Sequence, residues 1–260
     1  MDLELRGKTA IITGGSKGIG RAAALRFVEE GASVLICARG RDALAEAVAA
    51  ARNAAQGARI FTSEADLTRP EEIRRVVDEA VRAMGRIDIL VNNAGSARPG
   101  EFLKIPDEDW RLDFDLKFFG YVRMAREVMP HMARERNGVV VNVIGTGGLR
   151  PSAGYMVGGA ANAALNHFTK ALADEGSRHG VRVVGINPGP ILTERLRLFT
   201  ERSARGRNPD EVYARMTPLG RPGKPEEVAD LIAFLSSPRA AFIHGANITI
   251  DGGANPGLIG

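Results

Sequence analysis

A glycine-rich segment near the N-terminus constrains the fold of this chain more than any other feature. It reads Thr13-Gly14-Gly15-Ser16-Lys17-Gly18-Ile19-Gly20, and it lies between the apolar run 9–12 and a helical pattern from Arg21 to Glu30. Glycines let a backbone turn sharply and approach a pyrophosphate, whose charge is met by the amides at a helix N-terminus. A strand, a glycine-rich turn and a helix in this order predict a phosphate-binding turn of the kind that holds a dinucleotide.

Composition excludes several other classes of protein. The chain has 260 residues with 44% hydrophobic and 25% charged residues, as is typical of a soluble globular protein. Its net charge of +4 is dispersed and contains no basic block, so we predict no nucleic-acid partner. No run of about 18 apolar residues occurs, the segment 1–4 does not resemble a signal peptide, and the one cysteine, Cys37, permits no intrachain disulfide. We therefore expect a cytoplasmic protein without a membrane partner or a metal site.

Apolar runs alternate with helical patterns along the whole chain. This alternation predicts an α/β fold, a single Rossmann-type doubly wound domain over residues 1–260 with a seven-stranded, mostly parallel sheet. Six main helices are expected to flank it, the longest running from Asp107 towards Arg136 with a kink at Pro130. The predicted strands are Thr9–Thr13, Ser33–Ala38, Arg59–Glu64, Ile87–Val91, Gly138–Ile144, Arg182–Asn187 and Asn247–Ile250.

Five spaced motifs together carry a family resemblance. They are Thr13-Gly14-x-x-x-Gly18-x-Gly20, Asp66-Leu67-Thr68, Asn92-Asn93-Ala94-Gly95, Asn187-Pro188-Gly189-Pro190 and Asp251-Gly252-Gly253. In these motifs the chain resembles the short-chain dehydrogenase/reductase family over essentially its full length. The resemblance implies a nicotinamide dinucleotide cofactor and oxidoreductase chemistry on a small carbonyl or alcohol.

The resemblance also implies which residues contact the cofactor. The pyrophosphate is expected beside Gly14, Ser16, Gly18 and Ile19, the adenine beside Asp66 and Leu67, the adenosine side of the cleft beside Asn92, Ala94 and Gly95, and the nicotinamide beside Pro188, Gly189, Ile191 and Thr193. For Asn92 and Asn93, a strand-ending turn that packs the sheet is an alternative interpretation, and both roles are compatible.

Residues after the second predicted strand indicate which nicotinamide cofactor is bound. An acidic residue there normally binds the adenosine ribose of NAD, but this chain has Ala38 followed by Arg39. Lys17 adds a second cation inside the glycine turn. A missing carboxylate and two cations favour the 2′-phosphate of NADP(H) over NAD(H). The alternative is that Arg39 and Arg41 only face solvent.

The catalytic residues usual in this family are absent. Relatives use a tyrosine, a lysine four residues later, a serine and an asparagine on the preceding helix. Alignment on the segment 163–165 places Gly158 at the tyrosine position and Asn162 at the lysine position. The serine position falls on Gly145, and the asparagine position falls on Lys117. No Tyr-x-x-x-Lys sequence occurs in this segment.

Each missing group nevertheless has a substitute nearby, which suggests that the chemistry is relocated. Lys117 would supply the positive charge, Tyr155 or Thr146 a hydroxyl for the substrate oxygen, and Asn162 a hydrogen bond to the ribose. The alternative is that Lys117 is a surface residue, that Tyr155 only lines a pocket and that Thr146 only fills space at the end of a strand. Small residues at 158–161 would then serve only close helix packing at a subunit contact.

A charged segment, residues 190–223, follows the sixth predicted strand, and we name it the lid segment. It carries Arg195, Arg197, Arg202, Arg205 and Arg207. It lies after the carboxyl end of a strand, where α/β sheets bind ligands, so it is a candidate substrate lid. The alternative is that this segment is only a solvent-exposed loop on the protein surface. Several acidic residues in the segment weaken any argument for an anionic substrate.

The sequence is compatible with three functions. The first is an NADP(H)-dependent oxidoreductase acting on a small-molecule carbonyl or alcohol. The second is a non-catalytic NADP(H)-binding protein, either a sensor or the inactive partner of an active subunit, and the third is a non-redox enzyme on the same fold. The resemblance further implies a homodimer or homotetramer formed through the helices at 107–136 and 152–178 and the last strand.

Overall fold

Seven parallel strands form the centre of the structure. The computed structural model describes residues 1–95, 99–203 and 208–255. The strands are β1 (Thr9–Thr13), β2 (Ser33–Ala38), β3 (Ile60–Glu64), β4 (Ile89–Asn92), β5 (Gly138–Val143), β6 (Val181–Pro188) and β7 (Asn247–Ile250). Their order is β3-β2-β1-β4-β5-β6-β7, and every neighbouring pair is parallel. The predicted α/β fold is confirmed, with strand ends that differ from the prediction by one or two residues.

Both faces of the sheet are covered, which explains the nearly continuous apolar strands. Along β1, Ala10 and Ile12 pack into one hydrophobic cluster while Ile11 packs into the other. Successive side chains of a strand point to opposite faces, so a strand buried on both sides, such as β1, is apolar over most of its length.

Helices form the two outer layers. The α-helices of the described residues are α1 (Gly18–Glu29), α2 (Arg41–Ala54), α3 (Pro70–Met84), α4 (Asp107–Phe114), α5 (Gly120–Glu135), α6 (Met156–Arg178), α7 (Glu194–Ser203), α8 (Pro209–Ala214) and α9 (Pro225–Ser236). Phe27 of α1 and Ile232 of α9 belong to the first cluster, and Ile73 of α3 and Met124 of α5 belong to the second. The result is a three-layer sandwich with the sheet in the middle.

The predicted long helix from Asp107 towards Arg136 is not uniform. A π-helical segment, Asp115–Phe119, separates α4 from α5, and Pro130 lies inside α5. A π-helical turn contains an extra residue and is frequent at functional sites. Here it includes Lys117.

The strand order reverses between β1 and β4, where a doubly wound sheet has its binding crevice. The lid segment lies after β6 and contains α7 and α8. Arg205 and Arg207 lie outside the described residues, as does the side chain of Arg202. Within the described ranges, no helix has both the length and the apolarity needed to cross a membrane.

Candidate active site

The glycine-rich turn is fixed to the end of β4 by hydrogen bonds. Asn93 donates from Nδ2 to the carbonyl oxygens of Thr13 (3.0 Å) and Gly14 (3.3 Å). The Thr13 hydroxyl accepts from the backbone amides of Asn93 (2.9 Å) and Ala94 (3.0 Å). Gly14 has φ +64° and Gly18 has φ +55°. Residues other than glycine rarely adopt this backbone conformation. The motif at 92–95 thus holds the turn in shape.

Helix α1 begins at Gly18 and directs its first amides towards the crevice. Lys17 is its N-cap residue and makes no side-chain capping bond. The first amides of a helix have no carbonyl one turn earlier to bind, so they are available to an anion. The Lys17 amine instead bonds the Glu194 carboxylate of α7 at 2.8 Å, which raises the pKa of Lys17 and lowers that of Glu194. This ion pair joins the turn to the lid segment.

The predicted adenosine contacts lie at the carboxyl ends of the strands. Asp66 accepts from the Thr68 amide and hydroxyl at 3.0 and 2.9 Å, and Leu67 is buried. Arg39, directly after β2, is exposed and makes no ion pair with the described residues, whereas Arg41 pairs with Glu64 at 3.2 Å. Lys17 and Arg41 each pair with a carboxylate. Arg39 is therefore the cation near this end of the cleft that has no carboxylate partner within the described chain.

The predicted nicotinamide contacts continue from the end of β6. Pro188 ends the strand, and the Gly189 amide donates to the Ile250 carbonyl at 2.9 Å. Ile191 is buried and forms a bridge with Gly223 at the far end of the lid segment. Thr193 accepts from the Leu196 amide through its hydroxyl at 3.3 Å, at the start of α7. A Cβ on Gly18 would lie 3.2 Å from the Thr193 methyl group, so this loop closes over the glycine turn.

Two buried asparagines have polar atoms that a bound dinucleotide would satisfy. Asn92 donates from Nδ2 to Asn142 at 3.0 Å, but its Oδ1 has no partner within the described chain. Asn162 of α6 is 3% exposed, and its Oδ1 likewise has no partner there. Buried polar atoms without a hydrogen bond are rare in folded proteins and call for an explanation. With the glycine turn and the start of α1, these atoms fit a dinucleotide in the crevice.

Lys117 points from the π-helical segment towards the crevice. Its Nζ donates to the Val143 carbonyl at the end of β5 (2.9 Å) and to the Tyr121 hydroxyl (3.0 Å). A Cβ on Gly95 would lie 2.5 Å from Lys117 Cδ and 3.3 Å from Nζ, so the amine lies beside the motif at 92–95. Lys117 thus lies inside the cleft.

Tyr121 is a residue that the sequence analysis did not identify. It is 1% exposed, and its hydroxyl donates to the same Val143 carbonyl at 2.7 Å while accepting from Lys117. The available signal was the spacing Lys-x-x-x-Tyr, because residues four apart share one face of a helix.

Burial gives the Lys117 amine an unusual acidity. Desolvation of its charged form, followed by the positive charge of Arg195, lowers the pKa of Lys117 to about 7. Tyr121 has its pKa raised well above the ordinary value by burial. The lysine, not the phenol, is therefore the group in this pair that gains and loses a proton near neutral pH.

Tyr155 and Thr146 approach the same region from the start of α6 and the end of β5. Tyr155 precedes α6, and its ring packs on Gly147, whose Cβ would lie 2.8 Å from the ring. Burial raises the pKa of Tyr155, Arg195 opposes this rise, and the Asp113 carboxylate adds to it. Thr146 begins a 3-10 turn, and its hydroxyl makes no hydrogen bond with the described residues.

Gly145 has a backbone conformation that disfavours any residue with a side chain, including the serine that the sequence analysis expects here in relatives. Its φ is +126°, and a Cβ would lie 3.0 Å from Asn162 Nδ2. Gly148 packs still closer to α6, since a Cβ there would lie 2.6 Å from the Ala163 nitrogen. The loop after β5 thus lies directly on the segment of α6 that contains Asn162 and Ala163.

Comparison with known proteins places these features in a family. The family model described as Enoyl-(Acyl carrier protein) reductase matches residues 14–255. The chain is 34% identical to 3-oxoacyl-(acyl-carrier-protein) reductase FabG of Thermotoga maritima, over 96% of this chain and 99% of that protein. The chain belongs to the short-chain dehydrogenase/reductase family.

Solved structures agree with this assignment. The L-sorbose reductase of Gluconobacter frateurii, determined with NADPH and L-sorbose, superposes with a TM-score of 0.94 at 32% identity, covering 99% of this chain and all of that one. A 7α-hydroxysteroid dehydrogenase determined with NADH and 7-oxo glycochenodeoxycholic acid gives 0.89 at 31% identity, covering 97% of this chain and 96% of that one. The first of these relatives binds NADPH and the second binds NADH.

Proposed function

We propose that this protein is an NADP(H)-dependent oxidoreductase that interconverts a small carbonyl compound and its alcohol with a relocated catalytic site. In this proposal it is a divergent family member without the usual asparagine, serine, tyrosine and lysine. The observation that carries the proposal is the Lys117 amine, which the π-helical segment places in the cleft beside Gly95 with a pKa of about 7. A proton donor is most effective when its pKa lies near the working pH.

The cofactor contacts are proposed as the sequence predicts them. The first amides of α1 would hold the pyrophosphate, and the Oδ1 of Asn162, which has no partner in the described chain, would accept a hydrogen bond from the ribose next to the nicotinamide. Arg39 binds the 2′-phosphate, which favours NADP(H) over NAD(H). Lys17 contributes once it exchanges Glu194 for the phosphate.

When bound, NADPH supplies a hydride to the substrate carbonyl carbon. Lys117, as the ammonium, donates a proton from Nζ to the substrate oxygen and becomes the neutral amine. An ammonium has three N–H groups, and two of them already bond Val143 and Tyr121, so one remains for the substrate. The Tyr155 or Thr146 hydroxyl donates a hydrogen bond to the same oxygen. In alcohol oxidation the proton moves in the opposite direction.

Loss of the reduced-nicotinamide absorbance across a panel of carbonyl compounds tests this function. We expect oxidation of NADPH by at least one compound in the wild type and its loss in Lys117→Met, while both proteins bind NADPH equally. Lys170→Met is the matched control, because Lys170 is 62% exposed on α6 and pairs with Asp174. NADPH binding without oxidation by any compound would contradict the proposal.

A non-catalytic NADP(H)-binding protein is the second candidate, and one observation favours it. The backbone at Gly145 and the packing of Tyr155 on Gly147 leave no family-type hydroxyl at the usual position. Tight NADPH binding with no turnover would support this candidate. Product formation without a change in the cofactor would instead indicate a non-redox enzyme.

The proposal also includes an oligomer and a substrate lid. We propose that the chain forms a homodimer or homotetramer through α4–α5, α6 and β7. We also propose that the lid segment, residues 190–223, closes over the substrate. The exchange of Lys17 between Glu194 and a phosphate would link cofactor binding to the position of α7.

A further inference from the structure

The Lys117 amine is held by two acceptors that carry no charge. Its Nζ donates to the Val143 carbonyl at 2.9 Å and to the Tyr121 hydroxyl at 3.0 Å, and it lies 4.9 Å from the centre of the Tyr121 ring. Burial raises the pKa of Tyr121 well above its ordinary value, so this phenol stays neutral. Neither acceptor is therefore an anion that would fix the third proton on the amine.

The same two hydrogen bonds are compatible with both protonation states of the amine. An ammonium has three N–H groups, whereas a neutral amine has two N–H groups and one lone pair. Loss of a proton therefore breaks neither bond and leaves a lone pair at the fourth tetrahedral position of the nitrogen. Lys117 is only half-buried and lies beside Gly95 in the cleft, where a ligand can approach this lone pair.

Three parts of the chain bring titratable groups to this amine. Tyr121 lies one turn further along the same helix, Tyr155 precedes α6 and acts on Tyr121, and Arg195 comes from α7. Asp113 of α4 acts on Tyr155. Burial and then the charge of Arg195 lower the pKa of Lys117 to about 7, so a large part of the amine is neutral at neutral pH. Desolvation and a neighbouring cation are the two effects that make a lysine nucleophilic.

We propose that Lys117 is also a nucleophile, and that its amine condenses with small aldehydes in the cleft to form an imine. This is a second, non-redox activity of the site, and it does not depend on hydride transfer. The Nζ lone pair forms a bond to the carbonyl carbon, and one N–H proton moves to the carbonyl oxygen. The resulting hydroxyl leaves as water with a proton taken from the solvent, and the protonated imine keeps one N–H for the Val143 carbonyl. No oxidant or reductant is consumed.

The packing around Lys117 favours aldehydes over ketones. A Cβ on Gly95 would lie 2.5 Å from Lys117 Cδ and 3.3 Å from Nζ, so the backbone closely encloses the side chain up to its amine. Attack converts a planar carbonyl carbon into a more crowded tetrahedral one, and the hydrogen substituent of an aldehyde takes the least room there. We therefore expect the confined amine to distinguish the two classes more strongly than an exposed amine does.

The test traps the imine with cyanoborohydride in the full chain without NADPH, using propanal near neutral pH and locating the modified lysines by peptide mass spectrometry. In water a lysine amine has a pKa of about 10.4, so on the order of one in a thousand is neutral near neutral pH. A less basic amine is also a weaker nucleophile, which offsets part of this advantage. We expect Lys117 to be modified at least about tenfold faster than Lys170, which is 62% exposed on α6.

Lys117→Arg keeps a cation at this position but cannot form an imine. The rapid modification should vanish in this variant, while Lys170 is modified as before. Lys170→Met is the matched control and should leave the rapid modification of Lys117 unchanged. The comparison of the two lysines inside the wild type needs no variant, so it stands even where a substitution affects folding. Similar rates at the two lysines in the wild type, or undiminished rapid modification in Lys117→Arg, would overturn the proposal.

Acetone in place of propanal tests the substrate class. The preference for propanal over acetone should be larger at Lys117 than at Lys170, and an equal preference at the two lysines would overturn the assignment to aldehydes.

NADPH oxidation, measured separately, distinguishes this inference from the proposed function. Rapid trapping at Lys117 in a protein that oxidises NADPH with no carbonyl compound would support the imine and contradict the oxidoreductase. Oxidation of NADPH together with similar trapping rates at Lys117 and Lys170 would support the oxidoreductase and overturn the imine.

Discussion

At the scale of single residues, the proposed chemistry depends on what surrounds one amine. Lys117 is removed from water and lies near the positive charge of Arg195, and both effects disfavour its ammonium form. The Val143 carbonyl and the Tyr121 hydroxyl offset part of this cost by accepting its hydrogen bonds. The balance leaves the amine able to exchange its proton near neutral pH.

Tyr121→Phe removes one of these two acceptors. The ammonium form of Lys117 loses more stabilisation than the neutral amine does, because only the charged form depends strongly on hydrogen-bond acceptors. The pKa of Lys117 is therefore expected to fall below its wild-type value of about 7. Carbonyl reduction needs the ammonium, so its rate falls as the pH rises through this pKa, and the fall is expected at lower pH in the variant. The measurement is a pH profile of kcat. A falling limb that stays at its wild-type pH, or moves to higher pH, would count against a positioning role for Tyr121.

Gly145→Ser introduces the serine that the sequence analysis expects at this position in relatives, but the backbone there keeps its positive φ. A side chain at φ +126° is strained, and its Cβ lies 3.0 Å from Asn162 Nδ2. We expect about 1–3 kcal/mol lower free energy of unfolding in urea and no gain in activity. Gly154→Ser is the control, since a Cβ there meets nothing within 4 Å. Equal stability of the two variants would show that the backbone at 145 adapts.

At the scale of elements, the site is built where several of them end. The π-helical segment Asp115–Phe119 turns Lys117 inward, and the loop after β5 packs on the start of α6. The ion pair Lys17–Glu194 connects the glycine turn to α7. Each of these three contacts joins parts of the chain that are distant in sequence.

Glu194→Gln releases Lys17 from its partner on α7. A negative charge is removed from beside the proposed phosphate site, so NADPH should bind about two- to fivefold tighter at low salt, and the gain should shrink as salt is added. Fluorescence titration of NADPH measures this. Glu175→Gln, at the far end of α6, is the control, because it removes a carboxylate that is also exposed and also paired with a cation. Weaker NADPH binding in Glu194→Gln would instead assign Glu194 a direct role in the cofactor site.

How far the sequence predicts these elements depends on the range of the interactions. The central strands are predicted closely, because burial on both faces favours a largely apolar run such as 10–12. The interruption of the helix at Asp115–Phe119 is not predicted, because Lys117 finds its acceptor on β5, 26 positions away. The pairing of Lys17 with Glu194 spans 177 positions and has no local signal either. The positive φ of Gly145 cannot be predicted from the sequence either, since glycine is also common at positions where the backbone does not need a positive φ.

At the scale of the whole molecule, the doubly wound sheet supplies the crevice and the side chains decide what it binds. Membership of the short-chain dehydrogenase/reductase family explains why a seven-stranded parallel sheet and a glycine turn occur together. Relatives of the same fold act on sugars, steroids and acyl chains attached to a carrier protein. The fold alone therefore does not decide which substrate this chain takes.

Cofactor binding is expected to stabilise the entire domain. A ligand at one hundred times its Kd adds about 2.7 kcal/mol, or roughly 5–10 °C in Tm for a chain of this size. NADPH should raise Tm more than NADH at equal concentration. In Arg39→Gln the two shifts should become equal, whereas Arg134→Gln, an exposed change on α5, should keep the difference. A larger shift with NADH in the wild type would reject the assignment of Arg39 to a 2′-phosphate.

In the proposed reaction, the Lys117 amine carries the proton to and from the substrate oxygen. The most direct measurement is the pH dependence of NADPH oxidation, with the best carbonyl compound of the panel, in the wild type, Lys117→Met and Lys170→Met. We predict that the wild-type and Lys170→Met rates fall as the pH rises through about 7. In Lys117→Met this titration should vanish, with a loss of rate of about a hundredfold or more. The same falling limb and a similar rate in Lys117→Met would contradict the account.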